Sequence, residues 1–140
     1  MTTTATTASK VCRVDPAAPA DAAAHFAARL TVETDCHDVD HDLRGGGDGI
    51  VVLDVRSPEL YAQGHVAGAI NLPYAAIDGE TAAGALPDGA VAVTYCAGPH
   101  CNAATQGALR LAQLGYPVKE MIGGFDYWRR SSYPIATTAG

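Results

Sequence analysis

Two short, unbroken apolar runs constrain the fold of this chain more than any other feature of its sequence. Residues 50–53 (IVVL) and 91–95 (VAVTY) lack the strict alternation of polar and apolar residues that marks a strand with one face in solvent. Runs of this kind are typical of strands buried on both faces of a parallel sheet. Because parallel strands need crossover connections, the sequence predicts an α/β sheet with helices on both sides.

Helical patterns and capping residues lie around these runs. A helix is predicted from Ala20, a second from Asp35 as N-cap to Arg44, and a short third one from Ser57 as N-cap. Further helices are predicted over residues 102–114 and 125–130, further strands over residues 69–72 and 118–121, and turns over residues 74–89. We expect a three-layer fold with a small parallel sheet of about four to five strands flanked by helices on both faces.

The chain of 140 residues is long enough for one domain with a core and too short for two of ordinary size. The domain is predicted over residues 15–136, between a disordered tail at residues 1–14 and a disordered end at residues 137–140. The sequence shows no long apolar stripe that a second copy of the chain would have to cover, so a monomer is expected.

The charge pattern and the cysteine content narrow the function classes. A net charge of −6, with Arg129-Arg130 as the one basic pair, argues against a nucleic-acid partner. No apolar stretch has the length of a membrane span, and the N-terminus does not resemble a secretion signal, so no membrane partner is expected. Four cysteines in a chain with an adequate core do not suggest a disulfide framework, and we expect a cytoplasmic protein with free thiols.

Cys96 is the strongest candidate for chemistry. It ends the second apolar run and opens a loop, CAGPHC, that leads into the helix predicted from Asn102. Backbone N–H groups at a helix N-terminus stabilise an anion, which favours a reactive thiolate at this position. A cysteine that only fills apolar space at a strand end is the alternative, and position alone does not separate the two.

Three segments, in order along the chain, resemble the signatures of single-domain rhodanese-homology sulfurtransferases. They are LDVR with ELYAQGHVAGAINLP (residues 53–56 and 59–73), the strand that leads to Cys96, and GYPV with GGFDYW (residues 115–118 and 123–128). The resemblance covers roughly residues 20–135, and the loop is similar to a subgroup with a Cys-x-Gly-Pro-x-Cys pattern.

The resemblance implies a ping-pong reaction without a metal or organic cofactor. Cys96 would take the outer sulfur of a small-molecule or protein-borne donor, thiosulfate by default, hold it as a persulfide, and pass it to cyanide or a thiol acceptor. The loop would cradle the anionic sulfur mainly through backbone N–H groups. The cradle is predicted from Ala97, Gly98, His100, Cys101 and Asn102, with Pro99 stiffening the loop.

The loop also departs from its best-known relatives, since it carries no arginine or lysine. Asn102 stands where the related phosphatases and arsenate reductases of cell-cycle type need an arginine, which disfavours those activities. Two other functions stay open: a non-catalytic or regulatory sulfur-carrier module, and a redox sensor that uses Cys96 and Cys101.

Cys101 has two interpretations. It could be a resolving thiol that attacks the Cys96 persulfide, releases sulfide and leaves a disulfide. The alternative, which we favour on sequence grounds, turns its sulfur into the core, because a six-residue loop need not bring two sulfurs within bonding distance.

Several residues outside the loop also have side chains that could contact a substrate or a metal. Asp54 and Arg56 follow a buried strand and are candidates for a substrate contact or a brace of the loop. His65 is expected to hold a turn by a structural hydrogen bond. Cys36, His37 and His41 have a spacing that a metal could use, but they are interpreted as the solvated side of a short helix, so no metal site is predicted.

Overall fold

The computed structural model describes residues 9–138, and the chain divides into two compact units, residues 1–31 and 32–140. The first unit contains most of helix α1 (Pro19–Val32), the helix predicted from Ala20, and none of the residues of this helix is buried. The predicted disorder of residues 1–8 and 139–140 lies outside the described residues. In the part of the chain that is described, no helix combines the length and apolar character needed to cross a bilayer.

The second unit is built on a five-stranded sheet whose neighbouring strands are all parallel. In chain order its strands are β1 (Glu33–Asp35), β2 (Ile50–Asp54), β4 (Ile70–Asn71), β5 (Val91–Tyr95) and β6 (Val118–Ile122), and β3 (His65–Val66) and β7 (Ile135–Ala136) form a separate antiparallel pair. The spatial order is β1-β6-β5-β2-β4. The two apolar runs pair along their length, from Ile50 opposite Val91 to Asp54 opposite Tyr95, which confirms the predicted parallel sheet.

Helices cover both faces of this sheet. They are α2 (Cys36–Arg44), α4 (Gly79–Ala85), α5 (Ala103–Gln113) and α6 (Gly124–Arg130). The short helix α3 (Pro58–Gln63) lies next to β3, and a 3-10 turn follows at Tyr74–Ala76. The predicted N-caps are present: Asp35 accepts a hydrogen bond from the N–H of Asp38 at 2.9 Å, and Ser57 accepts one from Leu60 at 3.3 Å.

Neighbouring strand residues belong to opposite faces of the sheet. Leu53 and Ala92 lie in a core cluster with residues of α4 and α5, whereas Val52 and Val93 lie in a second cluster with residues of α2 and α6. This alternation follows from the two-residue period of a strand. Helices cover both faces of each run, which is why the runs show no alternation of polar and apolar residues.

Several elements differ from the prediction, among them the short strands β3 and β7, which the sequence did not predict. Helix α4 lies in a stretch expected to contain only turns; Asp78 and Thr81 form a capping box there, but its glycines and alanines give no clear apolar period. Strand β1 is three polar residues long and exists because it pairs with β6 at the edge of the sheet. The strand predicted over residues 69–72 is shorter in the structure, where β4 contains only Ile70 and Asn71.

Candidate active site

Cys96 lies at the carboxyl end of the central strand of the sheet. It directly follows β5, has 5% of its surface exposed, and begins the loop of residues 96–102 that leads to α5. Strand β2, which is next to β5, brings Asp54 and Arg56 to the same edge. In open parallel sheets this edge is where ligands bind.

The start of α6 holds the loop from the other side. The N–H of Phe125 donates to the carbonyl of Cys96 at 2.9 Å, and the N–H of Asp126 donates to that of Ala97 at 2.8 Å. Gly124 has a φ of +64°, and a Cβ on it would lie 2.7 Å from the oxygen of Cys96 and 2.8 Å from the nitrogen of Gly98. Only glycine lets the backbone of α6 come this close to the loop. In the sequence, the signal of this close approach is the pair of consecutive glycines after a strand.

The loop leaves fewer N–H groups for an anion than predicted. The N–H of Cys101 donates to the carbonyl of Gly98 at 3.1 Å and closes a turn, so this amide is not part of an anion cradle. Within the described residues, the N–H groups of Ala97, Gly98, His100 and Asn102 have no acceptor. Four of the five amides predicted for the cradle are therefore open to an anion, and the cradle itself stays a prediction.

The same turn brings the second cysteine back to the first. The sulfurs of Cys96 and Cys101 are joined in a disulfide, with their Cα atoms 6.5 Å apart. Cys101 packs against the core cluster that contains Leu53 and Ala92, but its sulfur is bonded to Cys96, which differs from the core-facing sulfur that we favoured from the sequence. The reason is the hydrogen-bonded turn over residues 98–101, which folds the chain back within the loop.

Asp54 and Arg56 form a buried ion pair behind the loop. Asp54 is fully buried, and its carboxylate accepts from Nε of Arg56 at 3.0 Å, from Nη2 of Arg56 at 2.6 Å and from the hydroxyl of Tyr95 at 2.7 Å. Nη2 also donates to the carbonyl of Gly64 at 2.7 Å, and the N–H of Val66 donates to Tyr95. These bonds tie strand β5, which delivers Cys96, to the turn after α3.

The environment fixes the protonation of this network. Burial and the nearby charge of Asp54 raise the pKa of Tyr95, so its hydroxyl keeps the proton that it donates. Burial alone would lower the pKa of Arg56, but the hydrogen bonds and charge of Asp54 outweigh it, and the pKa is raised. The guanidinium of Arg56 therefore stays charged across the physiological range.

One nitrogen of the Arg56 guanidinium makes no hydrogen bond within the described residues. Every buried side-chain nitrogen or oxygen among the described residues has a hydrogen-bond partner, whereas Nη1 of Arg56 has none there and is accordingly solvent-accessible. The guanidinium lies 4.5 Å from the ring centroid of Phe125. Arg56 thus braces the network with two nitrogens and offers the third as a donor.

Two adjoining cavities form a cleft beside the loop, and they share Arg56, Leu60, Ala97 and His100 as lining residues. The cavity of about 690 Å³ is also lined by Cys96 and Cys101. The cavity of about 420 Å³ is also lined by Arg129. From the sequence, Arg129 is recognisable only as part of a basic pair, because its place in the cleft depends on how α6 packs.

The remaining predicted residues lie apart from the cleft. His65 is buried, and its Nδ1 lies 2.7 Å from the carbonyl oxygen of Tyr61, the structural contact expected of it. His37 and His41 are exposed and lie beside Asp38 and Asp42.

A surface cluster of residues with metal-ligand side chains includes one of these histidines, His37. Ligand atoms of Asp35, His37 and Asp38 lie within 4.8 Å of one another on the surface, and the expectation of no metal stays a prediction. Cys36 is buried, and burial raises the pKa of its thiol to about 11, so it does not compete as a thiolate.

Asp54→Ala is expected to lower the free energy of unfolding by about 3 to 5 kcal/mol, because it leaves the buried charge of Arg56 without its partner. Urea unfolding followed by circular dichroism measures the change. Asp42→Ala is the matched control: this carboxylate is exposed and pairs with His41, so a change within about 0.5 kcal/mol is expected. Equal losses in the two variants would contradict a buried brace at Asp54.

This geometry defines a class of α/β proteins before any comparison is made. A cysteine at the carboxyl end of a central parallel strand, with unpaired loop amides and two guanidinium groups on its cleft, is suited to nucleophilic attack on an anionic substrate. The family described as "Rhodanese-like domain" matches residues 37–131, and the chain belongs to this family.

Individual relatives agree with the family match. The chain is 36% identical over 93 residues to the thiosulfate sulfurtransferase GlpE of Pseudomonas fluorescens, covering 66% of this chain and 81% of that one. It is 36% identical over 87 residues, 61% of its length, to the HTH-type transcriptional regulator Rv0324 of Mycobacterium tuberculosis, of which it covers 37%. The BH2092 protein of Bacillus halodurans has a similar structure, with a TM-score of 0.82, 41% identity and coverage of 88% and 89% of the two chains. Family and relatives together support sulfurtransferase activity in general.

Proposed function

We propose that this enzyme transfers a sulfane sulfur from an anionic donor such as thiosulfate to a thiophilic acceptor, cyanide or a thiol, through a persulfide on Cys96. The observation that carries the proposal is the place of Cys96, on the loop at the carboxyl end of the central strand and on a cleft with two arginines. The similarity to relatives named thiosulfate sulfurtransferase supports the choice of donor.

The reaction divides into two displacements. The Cys96 thiolate attacks the outer sulfur of thiosulfate, the sulfur–sulfur bond of the donor breaks, and sulfite leaves with the bonding electrons. The four unpaired loop amides and the free Nη1 of Arg56 supply donors for the negative charge of donor and persulfide. The acceptor then attacks the outer persulfide sulfur and restores the thiolate.

Steady-state kinetics of thiocyanate formation from thiosulfate and cyanide test this proposal. With the reduced chain, double-reciprocal plots at several cyanide concentrations are expected to be parallel, as a covalent intermediate requires. Intersecting lines would indicate direct transfer within a ternary complex and contradict the persulfide. No thiocyanate at all would contradict catalysis and favour the sulfur-carrier alternative.

Arg129→Gln is expected to raise the KM for thiosulfate about tenfold and to change kcat by less than about twofold, because one charge-assisted hydrogen bond to the bound donor is lost. The loop carries no arginine or lysine, and Arg129 lines the cleft beside Ala97 and His100. The thiocyanate assay measures both constants.

Arg130→Gln is the matched control for Arg129→Gln. The two side chains are equally exposed, at 67% and 65%, and both pair with Asp126, but Arg130 does not line the cleft. An unchanged KM is expected for this variant. If both variants raise the KM equally, the effect comes from the general charge of α6 and not from a donor contact.

Specific observations favour the two alternatives. The similarity to part of a transcriptional regulator is in keeping with a regulatory sulfur-carrier module, which would accept a persulfide and show negligible turnover of thiosulfate. The disulfide between Cys96 and Cys101 is in keeping with a redox sensor, in which oxidation removes the nucleophile. The sensor alternative requires that peroxide form this disulfide without any sulfur donor.

The physiological partners are proposed to be a small-molecule or protein-borne sulfur donor and a thiol acceptor. A monomeric state, a cytoplasmic location and the absence of nucleic-acid and membrane partners stay predictions from the sequence.

A further inference from the structure

The second sulfur of the loop has no part in the transfer cycle described above. Cys101 is half-buried, lines the same cavity as Cys96, and is bonded to it through the turn over residues 98–101. The structure therefore shows which sulfur Cys101 reaches: Sγ of Cys96, the atom that is the inner sulfur of the persulfide.

We propose that Cys101 resolves the Cys96 persulfide, so that the enzyme also reduces the transferred sulfur to sulfide. The proposal rests on the persulfide of the proposed function. The Cys101 thiol attacks the inner sulfur, a bond forms between the two cysteine sulfurs, and the bond to the outer sulfur breaks. That sulfur leaves as hydrosulfide with the bonding electrons and the proton of Cys101. The transferred sulfur gains two electrons over the cycle, one from each cysteine.

The place of attack decides the product. Attack of Cys101 on the outer sulfur would only move the persulfide from one cysteine to the other. Attack on the inner sulfur yields the observed disulfide and requires space for the leaving sulfide on the other side of Cys96. The cavity of about 690 Å³ is lined by both cysteines, and it is the space into which we expect the sulfide to leave.

Proximity favours this internal reaction over transfer to dilute external thiols. A group held within reach on a short segment acts at an effective concentration in the millimolar range or above. An external thiol at a concentration far below that range is expected to react with the persulfide more slowly than Cys101 does. Excess cyanide is expected to react with it faster than Cys101. Sulfur transfer and sulfide release therefore share the Cys96 persulfide, and the acceptor concentration determines which of the two predominates.

The disulfide stops the cycle until a reductant opens it. The proposal requires a dithiol of small-molecule or protein type, which forms a mixed disulfide with one cysteine and then releases both thiols. Cys101 is the more exposed of the pair, and Cys96 is 5% exposed, so Cys101 is the sulfur that the dithiol attacks. This leaves Cys96 as the departing thiolate, ready for the next donor.

A single-turnover experiment tests the proposal on the full chain. The protein is reduced, freed of reductant without oxygen, and mixed with thiosulfate in the absence of any other thiol; sulfide is trapped and intact mass is recorded. The expected result is about one sulfide per chain and a protein mass lower by two hydrogens, with peptide mapping placing the disulfide between Cys96 and Cys101. The wild-type chain keeping an added sulfur, with Cys101 still free, would overturn the proposal.

Cys101→Ser and Cys101→Ala distinguish the resolving role of Cys101 from the formation of the Cys96 persulfide on which it rests. Both variants are expected to keep the added sulfur on Cys96, to release at least about tenfold less sulfide, and to give up the sulfur to cyanide. Sulfide release that survives both changes would overturn the role of Cys101. No sulfur on Cys96 in either variant would instead contradict the proposed function. Cys12→Ser, which removes a thiol outside the loop, is expected to behave as wild type.

Discussion

Cys96→Ser is expected to reduce thiocyanate formation from thiosulfate and cyanide by at least about a thousandfold. A serine hydroxyl is not ionised at neutral pH and cannot hold the transferred sulfur as a persulfide. The change replaces one sulfur by oxygen at a buried position, so the fold is expected to persist. Initial rates and urea unfolding of the same preparations measure the two effects separately.

The control for Cys96→Ser removes a thiol that has no place in the cleft. Cys12→Ser lowers the number of thiols by the same amount and is expected to retain wild-type rates. A Cys96→Ser protein with wild-type rates would show that another group is the nucleophile and would end the persulfide proposal.

Gly124→Ala is expected to lower sulfur-transfer turnover by about a hundredfold, because the loop that carries Cys96 must move to admit a methyl group. The added Cβ would lie under 3 Å from the oxygen of Cys96 and from the nitrogen and Cα of Gly98, which are backbone atoms that no rotamer change can withdraw. The free energy of unfolding is expected to fall by about 1 to 3 kcal/mol from this overpacking, with a further part from the positive φ. Thiocyanate kinetics and urea unfolding measure both losses.

Gly115→Ala isolates the backbone strain from the clash. Gly115 also has a positive φ, +94°, but a Cβ there would meet nothing within 4 Å. We expect a loss of about 1 to 2 kcal/mol in the free energy of unfolding and an unchanged turnover. If Gly124→Ala retains full turnover, the close packing of α6 on the loop does not set the position of Cys96.

Local patterns allowed most of the sheet and the place of Cys96 at its edge to be predicted. The apolar runs that became β2 and β5, and the caps at Asp35 and Ser57, depend on residues within one strand or one turn. The position of Cys96 follows from the same strand–loop–helix pattern. Where the local signal was weak, as in the alanine- and glycine-rich α4 or the three polar residues of β1, the element escaped prediction.

The buried ion pair shows where prediction from the sequence stopped. Asp54 and Arg56 were recognised because they follow a buried strand. The hydrogen bonds of the Arg56 guanidinium, with two nitrogens on Asp54 and one without a protein partner among the described residues, were not predictable. They depend on Tyr95 and Gly64, which belong to other elements.

The sequence by itself determined the parallel sheet, its covering helices and the cysteine at the end of the central strand, since these follow from periodicity and capping along short stretches of chain. Only the tertiary structure decided that Cys101 meets Cys96, that Gly124 presses on the loop and that Arg129 lines the cleft. The first depends on a turn closed by a backbone hydrogen bond, and the other two on the packing of α6 against the loop. Contacts between distant segments leave no local pattern, because the free energy that forms them comes from burial across the whole core.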